Sequence, residues 1–124
     1  MTWKFTGSKP VYLQIMEHIQ GAILAGEFPP GARIPPVREL AAQAQVNPNT
    51  MQRSLLELER EGLLIGCGSM GRFVTGDRAV LDAMRAEAVD TAVREAAVHF
   101  RAMGIPLQEA AALLLKLEQE EQHG

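Results

Sequence analysis

The chain has 124 residues, 47% of them hydrophobic, which is enough for one modest core with an appended element and too little for two large independent domains. Its formal net charge of -3 is uneven, with 7 Lys+Arg against 6 Asp+Glu in residues 1–76 and 5 against 9 in residues 77–124; this excludes a grip on polyanions by bulk charge, which needs several phosphate contacts per site. The single cysteine, Cys67, excludes a disulfide framework or a cysteine cluster for zinc, and with no signal-like apolar start or membrane-length run in view, a soluble cytoplasmic protein is expected.

Residues 1–10 read as an extended arm, because Trp3 and Phe5 alternate with polar neighbours before Gly7, Ser8 and Pro10 break the pattern. Packing of the two aromatics on the body or on a partner subunit is favoured over stacking on a base. From Val11 the spacing Val11, Ile15, Ile19, Ile23, with Tyr12, Met16 and Leu24 beside it, predicts an amphipathic helix ending near Gly26. Phe28-Pro29-Pro30-Gly31 is a turn, and Arg33-Ile34 before Pro35-Pro36 leaves room only for a very short strand. Val37, Leu40, Ala41 and Ala44 then mark a second helix of about three turns at ~3.6 residues each.

Gln45-Val46 separates that helix from Asn47-Pro48-Asn49-Thr50-Met51-Gln52-Arg53-Ser54. Asn47 suits an N-cap, and Pro48 has its φ already set for a first helical position. Beyond the cap, Asn49, Thr50, Gln52 and Arg53 are polar, while Met51, Leu55, Leu56 and Leu58 are expected to turn inward; Gly62 marks the end. The outer face therefore offers amide, hydroxyl and guanidinium groups, which are the groups that read base edges and phosphates. Two helices joined by a tight turn, the second polar at its start, define a helix-turn-helix. Leu63-Leu64-Ile65 and Arg72-Phe73-Val74-Thr75 then flank the Gly-rich stretch 66–71 as the two arms of a β-hairpin, the wing of a winged helix-turn-helix.

Gly76-Asp77 marks a boundary. From Arg78 to Met103 there is neither Gly nor Pro, and Leu81, Met84, Ala88, Ala92 and Ala96 form a stripe with Val89, Val93, Phe100 and Met103 beside it. Gly104 ends this helix and Pro106 opens another, with an apolar face of Leu107, Ala110, Ala111, Leu114 and Leu117. The predicted fold class is thus mainly α with a small β-hairpin: a winged helix-turn-helix domain with its N-terminal arm over residues 1–76, and a two-helix C-terminal hairpin over 77–124. A helix pair this apolar cannot bury both faces against itself, so a partner subunit is the economical cover. Leu81, Met84, Ala88, Ala92, Phe100, Leu107, Leu114 and Leu117 are the expected dimer interface.

The order of elements and the wording of the motifs resemble the GntR superfamily of bacterial transcription regulators. The resemblance is carried by Pro10-Val11-Tyr12-Leu13-Gln14-Ile15, Ile23-Leu24-Ala25-Gly26-Glu27, Pro30-Gly31-Ala32-Arg33-Ile34-Pro35, Val37-Arg38-Glu39-Leu40-Ala41, Val46-Asn47-Pro48-Asn49-Thr50 and Leu58-Glu59-Arg60-Glu61-Gly62-Leu63, spanning roughly residues 10–75. The short C-terminal helix pair with its Gly-Ile-Pro junction is similar to the YtrA-type subfamily. The resemblance implies a homodimer, formed through the C-terminal helices, that binds a double-stranded DNA operator, often to repress a transport or stress operon. It also implies that Arg38 contacts phosphate or a base, that Asn47, Asn49, Thr50, Gln52 and Arg53 line the recognition helix, and that Arg33 is a further phosphate ligand. For the wing the resemblance implies a minor-groove contact with DNA; only Gly71 before Arg72-Phe73-Val74 keeps the family pattern, leaving Gly71 and Arg72 as the DNA-binding residues there and Arg72 as the one charged wing residue, and Pro36 stands where a Ser is usual.

Other residues read more plainly. Arg60, among Glu57, Glu59 and Glu61, is a solvated charge, and Cys67, with no basic helper nearby in the sequence, reads as an inert small residue rather than a redox sensor. His18, His99 and His123 are too scattered for a metal site, so no metal or cofactor is assigned. No nucleophile-base pair, phosphate loop or carboxylate pair stands out, which argues against an enzyme. The alternative function is a winged-helix protein-interaction module that does not bind DNA. An unidentified small-molecule effector, seated between subunits or near Gly76, is the expected route of control.

Overall fold

The computed structural model describes residues 1–123 as five helices and one two-stranded antiparallel sheet. Helix α1 (Val11–Leu24) buries Ile15, Ile19 and Ile23, spaced four apart, and lays that stripe mainly on the third helix. Its N-terminal side is held by a polar anchor. The Gln14 side chain, 5% exposed, accepts from the Thr6 N–H at 2.8 Å and donates to the Thr6 and Lys9 carbonyls at 2.8 and 2.7 Å. These bonds fold the arm back on α1, where Trp3, Phe5 and the His18 ring cluster and the first two pack on the core, as the arm's apolar residues predict.

Helix α2 (Val37–Ala44) has eight residues, about two turns rather than the three expected. It starts at Pro36 with no side-chain cap and ends where Gln45 adopts φ 57°. A residue with a Cβ pays roughly 1–2 kcal/mol for that left-handed conformation, but it reverses the chain within two residues and lets the Val46 N–H bond the Ala41 carbonyl at 3.1 Å. Helix α3 (Pro48–Arg60) follows at once. It ends with the Leu63 N–H on the Leu58 carbonyl at 3.0 Å, which aims the chain into the hairpin.

Strands β1 (Leu64–Gly66) and β2 (Arg72–Val74) pair in the register Leu64 with Val74, Ile65 with Phe73 and Gly66 with Arg72. A short 3-10 turn, Gly68–Met70, forms the tip. The predicted short strand appears as a single bridge between Arg33 and Phe73, flanked by Ile34 N–H to Arg72 carbonyl at 3.0 Å and Val74 N–H to Ala32 carbonyl at 2.8 Å. The free edge of β2 is thereby covered, and Arg33 is fixed beside the wing.

The core of this region contains Ile15, Ile19, Leu40, Met51, Leu55 and Leu58, all 0% exposed, closed by Ile34, Leu63, Leu64 and Val74. Burying each large apolar side chain contributes about 1.5–3 kcal/mol before chain entropy is counted. Leu56 departs from its expected inward position and is 39% exposed. On a helix it stands one residue, or about 100°, from the inward-facing Leu55, on the outer ridge with Asn49, Gln52 and Arg53. The interior place goes instead to Ser54, whose hydroxyl lies within donating distance of the Tyr12 and Thr50 carbonyls, at 2.9 and 3.1 Å.

Helix α4 (Arg78–Ala102) is capped by Asp77, which accepts from the Ala79 N–H at 3.0 Å. Two packing units are resolved: one is Met1–Arg85, and the other begins at Ala86 within α4. The first turns of α4 thus belong to the first unit, where Leu81 is 6% exposed and Met84 packs on the core. The second unit contains the remainder of α4 and helix α5 (Leu107–His123), joined through Gly104, with the Ile105 N–H on the Phe100 carbonyl at 2.9 Å. Ala110 is its buried apolar residue, and Ala88, Ala97, Phe100 and Ile105 are half-buried.

Candidate nucleic-acid interface

Helix α3 presents its polar ridge because Met51, Ser54, Leu55 and Leu58 fix the opposite side in the core. Asn47 is the cap the sequence predicts: its Oδ1 accepts from the Asn49 N–H at 2.8 Å. The bond occupies part of the Asn47 amide, so this residue orders the start of the helix as well as standing exposed at it. Asn49 and Arg53 are exposed, and Thr50 and Gln52 are half-buried.

Two side chains on α3 are held by neighbours on either flank. Toward α1, the Arg53 guanidinium lies 3.6 Å over the centre of the Tyr12 ring. Such stacking occupies the face of the guanidinium and leaves its N–H edge for an anion. Toward the wing, Glu59 accepts from Arg72 Nε at 2.6 Å, and a terminal Arg72 nitrogen donates to Gln52 Oε1 at 3.4 Å. Gln52 and Glu59 are seven residues apart, so both lie on the wing side of α3. The side chains of Arg72 and Glu59 are only 17% and 27% exposed.

The glycines of the wing make room for these charges. A Cβ on Gly66 would stand 2.8 Å from Glu59 Oε1, and one on Gly71, where φ is 98°, would stand 2.8 Å from Arg33 Nε. Arg33 is exposed and lies across Gly71, while Arg38 is exposed in the first turn of α2. Neither forms an ion pair among the described residues. A groove of about 470 Å³ runs between the wing and the start of α2, lined by Arg33, Pro36, Glu59, Cys67 and Arg72 among others. The structure therefore gathers Arg33, Gln52, Gly71 and Arg72 at the wing, sets Asn47, Asn49, Thr50 and Arg53 along the helix, and places Arg38 on the neighbouring helix. The Glu59 pairing was not legible in the sequence, because nothing there shows a helix residue meeting a wing residue thirteen positions later.

The eight apolar residues expected at a dimer interface divide. Leu81 is a correction: it lies in the core of its own unit, beside Met84, because the first turns of α4 pack there. Ala88 and Phe100 are half-buried, and Ala92, Leu107, Leu114 and Leu117 are exposed. No helix among the described residues is long and apolar enough to cross a membrane.

A helix-turn-helix with a polar second helix, followed by a hairpin wing, defines the winged-helix class of DNA-binding proteins. Residues 11–74 match the model of bacterial regulatory proteins of the gntR family. The chain belongs to the GntR family, whose members are transcriptional regulators and not enzymes. It is 39% identical over 82 residues to the uncharacterized HTH-type transcriptional regulator YhcF of Bacillus subtilis, covering 66% of this chain and 68% of that one. It is 38% identical over 68 residues to the HTH-type transcriptional repressor YtrA of the same organism, a match covering 55% of this chain and 52% of the repressor. Among solved structures, a GntR family transcriptional regulator from Listeria monocytogenes superposes with a TM-score of 0.78 at 28% identity, over 90% of this chain and 98% of that one. The DNA-binding domain AraR(DBD), solved in complex with operator ORX1, gives 0.56 at 30% identity, over 60% of this chain and 96% of that domain.

Proposed function

We propose that this chain is a homodimeric, sequence-specific repressor that acts in the cytoplasm on a two-fold DNA operator, controlling a transport operon. Residues 1–76 are the DNA-binding part and residues 77–124 the dimerisation segment. The observation that carries the reading is the outward ridge of α3, with Asn49, Gln52 and Arg53 in line, accompanied by the exposed cations Arg33, beside the wing, and Arg38, in the first turn of α2. Asn49 and Gln52 are suited to base edges in the major groove, and Arg33, Arg38 and Arg53 to phosphates or guanine. Thr50 and the cap at Asn47 fix how the helix enters the groove. With a first half that is nearly neutral, one such surface grips DNA weakly, and two copies related by a dyad supply the missing affinity.

The exposed apolar residues of α4 and α5, among them Val93, Leu107, Leu114 and Leu117, support the dimer. Selection of bound sequences from a random DNA pool tests both parts. The expected result is a palindrome whose half-sites lie about one helical turn apart, 10–10.5 bp, or a multiple of it. Arg38→Ala should weaken binding to the selected site by about 1–3 kcal/mol if a base is read. A protein that enriches no sequence and ignores DNA at low salt, yet captures a single protein partner, would instead be the interaction module.

A further inference from the structure

The wing of this chain has one cation of its own, and it is turned inward. Arg72 spends its Nε on Glu59 at 2.6 Å and directs a terminal nitrogen at Gln52 Oε1, 3.4 Å away. Gly66 lacks the Cβ that would strike the Glu59 carboxylate, so the pair closes without displacing β1. Arginine has donors and no acceptor, so whichever way the Gln52 amide is turned, it is the oxygen that must face Arg72. The amide N–H₂ is then the end turned away from Arg72.

We propose that Arg72 is a positioning residue for base reading, which holds Gln52 with its N–H₂ outward so that this side chain donates to an acceptor on the base. The proposal rests on the DNA-binding reading above. A glutamine with both amide atoms available pairs with adenine through N6 and N7, giving one bond and taking one. Gln52, with its oxygen drawn to the wing, favours a base edge that only accepts, such as guanine O6 and N7 or thymine O4. Glu59 acts one step further back: it fixes the guanidinium that fixes the amide. Arg33, lying across Gly71, then provides the cationic phosphate contact at the wing in place of Arg72.

The test is a random-pool selection run on the wild type, Arg72→Met, Gln52→Met and Glu59→Gln. Methionine keeps the apolar stem of Arg72 and removes its donors. The wild type should select guanine or thymine opposite Gln52; Arg72→Met should move the preference at that one position toward adenine by about tenfold, the scale of a bidentate pair, with the other positions unchanged. Glu59→Gln should move it the same way by less, and Gln52→Met should erase the preference there. Two results would overturn the proposal while leaving the regulator reading intact: a wild-type operator whose preferences all survive Gln52→Met, or an Arg72→Met protein that binds every sequence more weakly with a salt slope smaller by about one, the mark of a lost phosphate contact. A wild type that selects nothing removes the reading beneath it. Circular dichroism of each variant guards against misfolding, and Glu59→Gln, which keeps a hydrogen-bonding group in place, carries the test if Arg72→Met unfolds.

Discussion

The two packing units of this chain treat their hydrophobic residues in opposite ways. In the first, α1, α2 and α3 turn Ile15, Ile19, Leu40, Met51, Leu55 and Leu58 wholly away from water. In the second, Val98 and Leu115 are 66% and 67% exposed, and Val93, Met103, Leu113, Leu114 and Leu117 are at least half exposed. Three helices and a hairpin enclose a volume; two helices meet along one line and leave most of their circumference bare. The first unit is therefore specified by its own contacts, whereas the second has a surface that solvent does not stabilise and a like surface would. In the proposed function, recognition is built into one copy and affinity comes from the pairing of two.

The sharpest way to break that contrast is to charge the second unit alone. Leu114→Glu with Leu117→Glu should convert the dimer to a monomer in analytical ultracentrifugation and lower operator affinity by about 10²–10⁴-fold, the gain that linking two sites supplies. The change falls on exposed residues, so a single copy should keep its circular dichroism spectrum. An unaltered sedimentation coefficient would show that these leucines do not join subunits. The reciprocal experiment alters the first unit: Leu55→Ala removes a fully buried side chain and should cost about 2–5 kcal/mol in urea denaturation, through lost transfer energy and the cavity left behind.

The same contrast explains what the sequence could convey. Periodicity located each helix, because the 3.6-residue repeat of Ile15, Ile19 and Ile23 or of Met51, Leu55 and Leu58 is written along one segment. Local chemistry located the Asn47 cap and the Gly-rich wing turn. What escaped was set between segments. Leu56 looked like core because it is a leucine, yet the angle between it and Leu55 places it outside, and Leu81 fell on the α4 stripe although the first turns of that helix belong to the first unit. Arg72 was the clearest case: in the sequence it is simply the one charged residue of the wing, and only the meeting of α3 with β2 reveals Glu59 and Gln52 beside it. Gln14 was silent for the same reason, since its partners lie in the arm.

A smaller effect isolates how the recognition helix is started. Asn47→Ala deletes the acceptor for the Asn49 N–H and should lower stability by about 1 kcal/mol, as losing an N-cap does. Thermal denaturation measures that loss. Because Asn49 sits in the turn being capped, operator affinity should fall with it, whereas Asn47→Asp, which still caps, should restore stability. Recovery of stability without recovery of binding would show that the Asn47 amide itself touches DNA.

The smallest expected effect compares two ion pairs of similar length in unlike surroundings. Arg94 and Asp90, at 2.9 Å on α4, are 78% and 62% exposed, whereas Arg72 and Glu59, at 2.6 Å, are mostly covered. Distance alone would rank them nearly equal. Water screens the first pair and its long side chains lose entropy in forming it, so Asp90→Asn should change stability by no more than about 0.5 kcal/mol. Glu59→Gln leaves a half-buried guanidinium with less compensation and should cost more than that in the same denaturation series. The difference should persist in high salt, which weakens the exposed pair and barely reaches the covered one. Equal costs for the two substitutions would mean that the Arg72 latch opens to solvent in the unbound protein, which would leave its guanidinium free to meet a phosphate.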